Sequence, residues 1–186
     1  MAAELYQKVI SMDPSDAVAY SFLGIVYTMM GKHEAGVVEA DKAVAVGPNA
    51  ADAHALYAWI YHFSGRNTEA IEAIRKAIRL NPLPPNWYYT ISGLVYSFAG
   101  LYDEAFESFQ EALSRQPDNL PCRISLAAAY SLANKENNAR AEIKEVLRLN
   151  PAYSIQMAMK SCPYKNQSDI DTFLDALRKA GLPEIH

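Results

Sequence analysis

The stretch Tyr20-Ser21-Phe22-Leu23-Gly24-Ile25-Val26-Tyr27-Thr28-Met29-Met30-Gly31 decides the fold. Tyr20, Leu23, Gly24 and Tyr27 stand at i, i+3, i+4 and i+7, the spacing that lines up one face of an α-helix. Gly31 supplies the left-handed cap that ends that helix. A second stretch, Glu34 to Val46, repeats the pattern with Val37, Ala40, Ala43 and Val44. Pro48, which cannot continue a helix, follows its end. The two stretches read as an antiparallel helix pair.

The pair recurs along the chain. Pro14, Pro48, Pro82, Pro117 and Pro151 are separated by 34, 34, 35 and 34 residues. Tyr27, Tyr61, Tyr96 and Tyr130 keep the same steps, as do Gly31, Gly65, Gly100 and Asn134, and Gly36, Ala70, Ala105 and Ala139. The single-residue slip is common to all of them and falls in Leu83-Pro84-Pro85. A fixed period of this length is the mark of stacked helical units. The units run 17–50, 51–84, 86–119 and 120–153, after a half unit at 1–16 that holds a second helix only. A tail at 154–186 follows, with a capping helix near 168–180 whose apolar stripe is Ile170, Phe173, Leu174 and Leu177. The whole is expected to be one array, 1–186.

Size alternates with the period. The eighth position of each unit holds Gly24, Ala58, Gly93 and Ala127, and the twentieth holds Gly36, Ala70, Ala105 and Ala139. Small residues at both places let two helix backbones approach closely, and the Tyr at the eleventh position fills the wedge beside them.

This layout resembles the tetratricopeptide repeat, whose pattern W-x2-L-G-x2-Y…A-x3-F…P has the same period. Tyr20-x2-Leu23-Gly24-x2-Tyr27 matches its first half, and Ala105-x3-Phe109 with Pro117 matches its second. His54 and Arg123 depart from it at the large aromatic position, Tyr57 and Ser92 at the Leu position, and Asn134 at the Gly turn. The resemblance implies an all-α fold, an α-α superhelix (a solenoid of antiparallel helix pairs). Residues 81 to 184, with the strings Trp87-Tyr88-Tyr89, Leu149-Asn150-Pro151-Ala152-Tyr153, Pro163-Tyr164-Lys165 and Ala180-Gly181-Leu182-Pro183-Glu184, also resemble the C-terminal repeat regions of bacterial multidomain proteins carrying a class III adenylate/guanylate cyclase domain. That second resemblance implies a regulatory or scaffolding module, with cyclase chemistry in a separate upstream domain.

In the repeat family the first helices line a concave face, used mostly through the second, fifth, sixth, ninth, twelfth and thirteenth positions. Carried onto this sequence, the resemblance implies Phe22, Ile25 and Met29 from the first unit and Trp59, His62 and Phe63 from the second. The third unit contributes Trp87, Thr90, Leu94 and Phe98, and the fourth Ile124, Ala128 and Leu132. An apolar and aromatic stripe of this kind calls for a covering partner, and Met and aromatic side chains are common interface anchors. The competing reading has tight curvature or the tail bury these residues as ordinary core, Trp59 and Leu94 first. Apolar residues stand where a carboxylate-clamping groove needs Lys, Arg and Asn, which favours an apolar peptide or helix as the partner. An apolar small molecule or lipid tail in the same groove is the alternative. Self-association is a third reading, because the lone second helix at 1–16, with Leu5, Tyr6 and Val9, leaves an apolar face uncovered.

Composition narrows the function further. The 186 residues carry 17 Lys+Arg against 21 Asp+Glu, a net charge of −4, which argues against nucleic acid as a partner. No apolar run approaches the length of a membrane span and no secretion signal is visible, so a cytoplasmic protein is expected. The two cysteines, Cys122 and Cys162, are too few for a disulfide scaffold. His33, His54, His62 and His186 lack metal-site spacing, and no phosphate-cradling glycine motif occurs. The expectation is therefore a chain without catalytic residues, metal or cofactor. His54 reads as a packed histidine and His62 as a polar groove contact.

Overall fold

The computed structural model describes residues 2–185, and among them the regular structure is entirely helical. The chain divides into two compact units. The first runs through Pro84 and takes in Pro163–Lys165; the second comprises Pro85–Cys162 and the residues from Asn166 onward.

The first unit contains α1 (Ala2–Met12), α2 (Ala17–Met29), α3 (His33–Val46), α4 (Ala51–Phe63) and α5 (Asn67–Leu80). Each helix packs on the next, and α2 also meets α4. Asp16 starts α2: its carboxylate accepts from the Val18 and Ala19 amides at 2.9 and 3.0 Å, satisfying donors that the first turn leaves open. At the other end Gly31 has φ +73°, and the Lys32 amide donates back to the Tyr27 carbonyl at 2.8 Å. The same bond joins Arg66 to Tyr61, Leu101 to Tyr96 and Lys135 to Tyr130, at 2.8, 3.0 and 2.8 Å. The recurring tyrosine thus receives the closing bond at the end of the first helix of each pair. Asn134 does the work of glycine at the fourth turn with φ +57°, a region asparagine tolerates.

Close backbone approach is visible between α2 and α3. A Cβ added to Gly24 would lie 2.9 Å from the Gly36 carbonyl oxygen and 2.8 Å from Ile60 Cδ1. A Cβ on Gly36 would collide with Thr28 Oγ1. The corresponding positions hold fully buried Ala58, Ala70, Ala105, Ala127 and Ala139, with a glycine at Gly93 against the Phe109 ring. Only small residues fit there.

The second unit contains α6 (Asn86–Phe98), α7 (Tyr102–Arg115), α8 (Leu120–Leu132), α9 (Glu136–Leu149), α10 (Ile155–Ser161) and α11 (Gln167–Lys179). The short α10 has no counterpart in the repeat pattern. Ser154 caps it, its hydroxyl accepting from the Met157 amide at 3.5 Å. Leu174, Ala176 and Leu177 of α11 share one core with Ile124, Ala127 and Ala128 of α8 and Ile143 and Val146 of α9.

Two departures from the repeat consensus have a common explanation. His54 Nε2 lies 2.9 Å from the Pro48 carbonyl, which can only accept, so Nε2 carries the proton. Arg123 Nε donates to the Pro117 carbonyl at 2.9 Å, and its Nη1 pairs with Glu142 at 2.7 Å. Both side chains tie the first helix of a pair to the proline loop before it.

Candidate functional site

The residues expected on the concave face fall into an open set and a covered set. On α2, Phe22 is 38 % exposed and Met29 53 %, with Ile25 half-buried between them. Phe22 stacks on Tyr6 of α1 with ring centroids 5.6 Å apart. On α4, by contrast, His62 is 1 % and Phe63 7 % exposed, with Trp59 half-buried and its ring 4.5 Å from that of Phe63.

The cover on α4 is Pro163–Lys165, the segment that the fold assigns to the first unit. Tyr164 is 5 % exposed, and its ring centroid lies 5.3 Å from His62 and 4.7 Å from Phe63. Its hydroxyl is 3.1 Å from His62 Nε2. Nδ1 of the same imidazole is 2.9 Å from Asn67 Oδ1. Asn67 Oδ1 accepts, so Nδ1 carries the proton and Nε2 accepts from the Tyr164 hydroxyl. Burial makes the charged form costly and holds the His62 pKa down at about 4, with the Asn67 bond opposing more weakly. The Lys165 amide donates to the Phe63 carbonyl at 2.9 Å, satisfying an acceptor at the end of α4, and Lys165 Nζ pairs with Glu34 at 2.6 Å.

Next to that pair, α3 and the turn after α4 enclose a cavity of about 280 Å³ lined by His33, Glu34, Asp41, Ser64, Arg66 and Lys165 among others. Asp41 accepts from the Tyr61 hydroxyl at 2.5 Å, and the Arg66 guanidinium lies over the Tyr61 ring at 5.2 Å. Burial pushes the His33 pKa down.

In the second unit, Trp87 is half-buried edge-on to Tyr88, and Thr90 and Phe98 are half-buried. Leu94 is buried, as are Ile124 and Ala128, while Leu132 packs at the border of the same core. For Ile124, Ala128 and Leu132 an open groove position is corrected: α11 packs on α8 and converts its face into core. His62 is likewise no open polar contact, since Tyr164 seals it. Tyr164 lies outside the positions that the repeat pattern singles out. Its signal is an isolated aromatic behind a proline, outside any helical period.

Among the described residues no cluster of three His, Cys, Asp or Glu side chains is placed to hold a metal ion, and no helix is long and apolar enough to cross a membrane.

Comparison with known proteins agrees with the helix-pair geometry. Tetratricopeptide-repeat family models match residues 51–82 and 99–160. The human protein O-mannosyl-transferase TMTC1 is 26 % identical over 156 residues, which is 81 % of this chain but 17 % of that protein. The chain therefore spans about a sixth of the length of the curated relatives it matches. A crystal structure of MamA superposes with a TM-score of 0.60 at 25 % identity, covering 80 % of this chain and 86 % of that one. YrrB, described as a repeat protein with an unusual peptide-binding site, superposes with a TM-score of 0.61 at 19 % identity, covering 96 % and 91 %. Matched repeat models in both units, joined to glycine-turned helix pairs with small residues at their contacts, show that the chain is built of tetratricopeptide repeats.

Proposed function

We propose that the chain is a protein-interaction module that receives an apolar or aromatic-anchored peptide or helix on its first helices, and that it serves as a regulatory region of a larger protein. The observation that carries the reading is the open strip on α2, where Phe22 and Met29 stay in water at positions that the repeat devotes to binding. Leaving such side chains exposed is unfavourable unless a partner covers them. The proposed units are 17–50, 51–84, 86–119 and 120–153, with the half unit 1–16 before them and the tail 154–186 after. Half-buried Trp59 completes the proposed face of the first unit, and half-buried Trp87, Thr90 and Phe98 are proposed as a face of the second. The peptide-binding site named for YrrB is in keeping with this reading. The regulatory role rests on the resemblance of residues 81–184 to the repeat tails of cyclase-type proteins.

Selection from a displayed peptide library tests the reading. Wild-type chain should enrich apolar and aromatic peptides, and a Phe22→Ala/Met29→Ala double variant should bind them at least about tenfold more weakly, as expected when interface anchors are truncated. Selected peptides indifferent to that double variant would overturn it.

Self-association is a second reading with its own observation. Helix α1 buries none of its residues, and Leu5 and Met12 stand exposed on it. Light scattering over a hundredfold concentration range decides: a mass that stays monomeric throughout removes this reading.

A further inference from the structure

We infer that Pro163-Tyr164-Lys165 is an internal ligand of the α4 pocket, and that the pocket's external partner is an extended peptide presenting Tyr followed by Lys. The inference rests on the reading of first helices as binding surfaces, for α4 alone. Three separate contacts hold the segment as a peptide would be held. The Tyr164 ring packs edgewise on His62 and tilted against Phe63, with its hydroxyl on His62 Nε2. The following amide bonds the Phe63 carbonyl, and the following side chain pairs with Glu34. These combine main-chain pairing, an aromatic anchor and a charge contact, as in peptide recognition.

The contacts also define selectivity. With Nδ1 of His62 donating to Asn67, Nε2 needs a donor, which the phenol supplies and a phenylalanine ring lacks. A phosphorylated tyrosine would place a dianion against a neutral imidazole in a site where Tyr164 is almost fully enclosed, so it is excluded. The residue after the tyrosine must bring an amide N–H, which rules out proline, and Glu34 favours a cation there. Because the segment is tethered, its effective concentration is on the order of millimolar, and an external peptide with the same contacts competes poorly until it is displaced.

The test uses the full chain and a fluorescein-labelled peptide matching residues 160–168, with serine replacing Cys162, read by fluorescence anisotropy. The Tyr164→Ala chain should bind this peptide at least about tenfold more tightly than wild type, because its own occupant has lost the anchor. The Phe-substituted peptide should bind that variant more weakly, and the phosphotyrosine peptide should not bind. Lys165→Glu, a change at an exposed side chain, is the second variant. It should strengthen binding by about two- to fivefold, the worth of an exposed ion pair, and it decides the matter if Tyr164→Ala does not fold. A folded Tyr164→Ala chain that binds no better than wild type overturns the inference, as does a Lys165→Glu chain with unchanged affinity. The Phe22→Ala/Met29→Ala chain should keep wild-type affinity for this peptide, so that failure at α4 and failure of the α2 face are read separately.

Discussion

Helices α2 and α4 present the same repeat positions with different chemistry and different fates. The ninth, twelfth and thirteenth positions hold Ile25, Thr28 and Met29 on α2, and Trp59, His62 and Phe63 on α4. Thr28 is buried and satisfies its hydroxyl within its own helix, on the Gly24 carbonyl at 2.9 Å. An imidazole has two ring nitrogens and cannot be satisfied that way; His62 uses Asn67 for one and Tyr164 for the other. The thirteenth position follows suit: Phe63 is sealed under the Tyr164 ring while Met29 stays in water. The contrast teaches that equivalent repeat positions need not share one fate, and that the residue at the twelfth position decides whether a phenol has anything to bond there.

The contrast can be broken most forcefully at the thirteenth position. Phe63→Ala should cost about 3–5 kcal/mol in urea denaturation, from the lost ring contacts and the cavity left behind. Met29→Ala, at the equivalent exposed place, should stay within about 0.5 kcal/mol. Equal effects from the two would erase the distinction between a covered and an open face.

Acid titration probes the same burial. The His62 pKa is depressed to about 4 in the folded chain, against about 6.5 for a free imidazole. The unfolded chain therefore binds more protons between those values, and stability rises with pH across that window. The contribution is complete above pH about 6.5 and lost as the pH falls toward 4, up to about 3 kcal/mol for His62. His33 and His54, both depressed by burial, act in the same direction. Urea midpoints from pH 7.5 to 4.5 should show the fall, and a folded His62→Gln chain should show a shallower one.

Gly24→Ala sharpens the comparison from the packing side, since the missing Cβ is what lets α2 sit against both Gly36 and Ile60 of α4. Overpacking there should cost about 1–3 kcal/mol, visible as a lowered melting temperature. The smallest effect is expected from Tyr164→Phe, which keeps the ring and removes the bond to His62. A loss of about 1 kcal/mol is the typical worth of a buried hydrogen bond, and no change in the urea midpoint would mean that the hydroxyl contributes only shape.

The helix pairs were legible in the repeat because each first helix announces itself through small residues and a glycine or asparagine turn. The left-handed conformations at Gly31, Gly65, Gly100 and Asn134 fall at the turn of each period. Helix α10 was not legible, since seven residues with Met157, Met159 and Ala158 show too little period to separate a helix from a loop. Exposure of the candidate positions follows the sequence expectation on α2 and only in part elsewhere. Ile124 and Ala128 carry the composition of a groove, yet the stripe of α11 that covers them lies about 50 residues further along the chain, and stripe and groove have the same apolar character.

By itself the sequence determined the helix pairs, their close contacts and the surface positions each first helix offers, because these depend on spacing within about 34 residues. Tertiary structure alone decided which of those positions remain available. His62 and Tyr164 are 102 residues apart and neither belongs to a repeated pattern that points to the other. Local periodicity fixes what a helix shows, and only the path of the chain settles what comes to cover it.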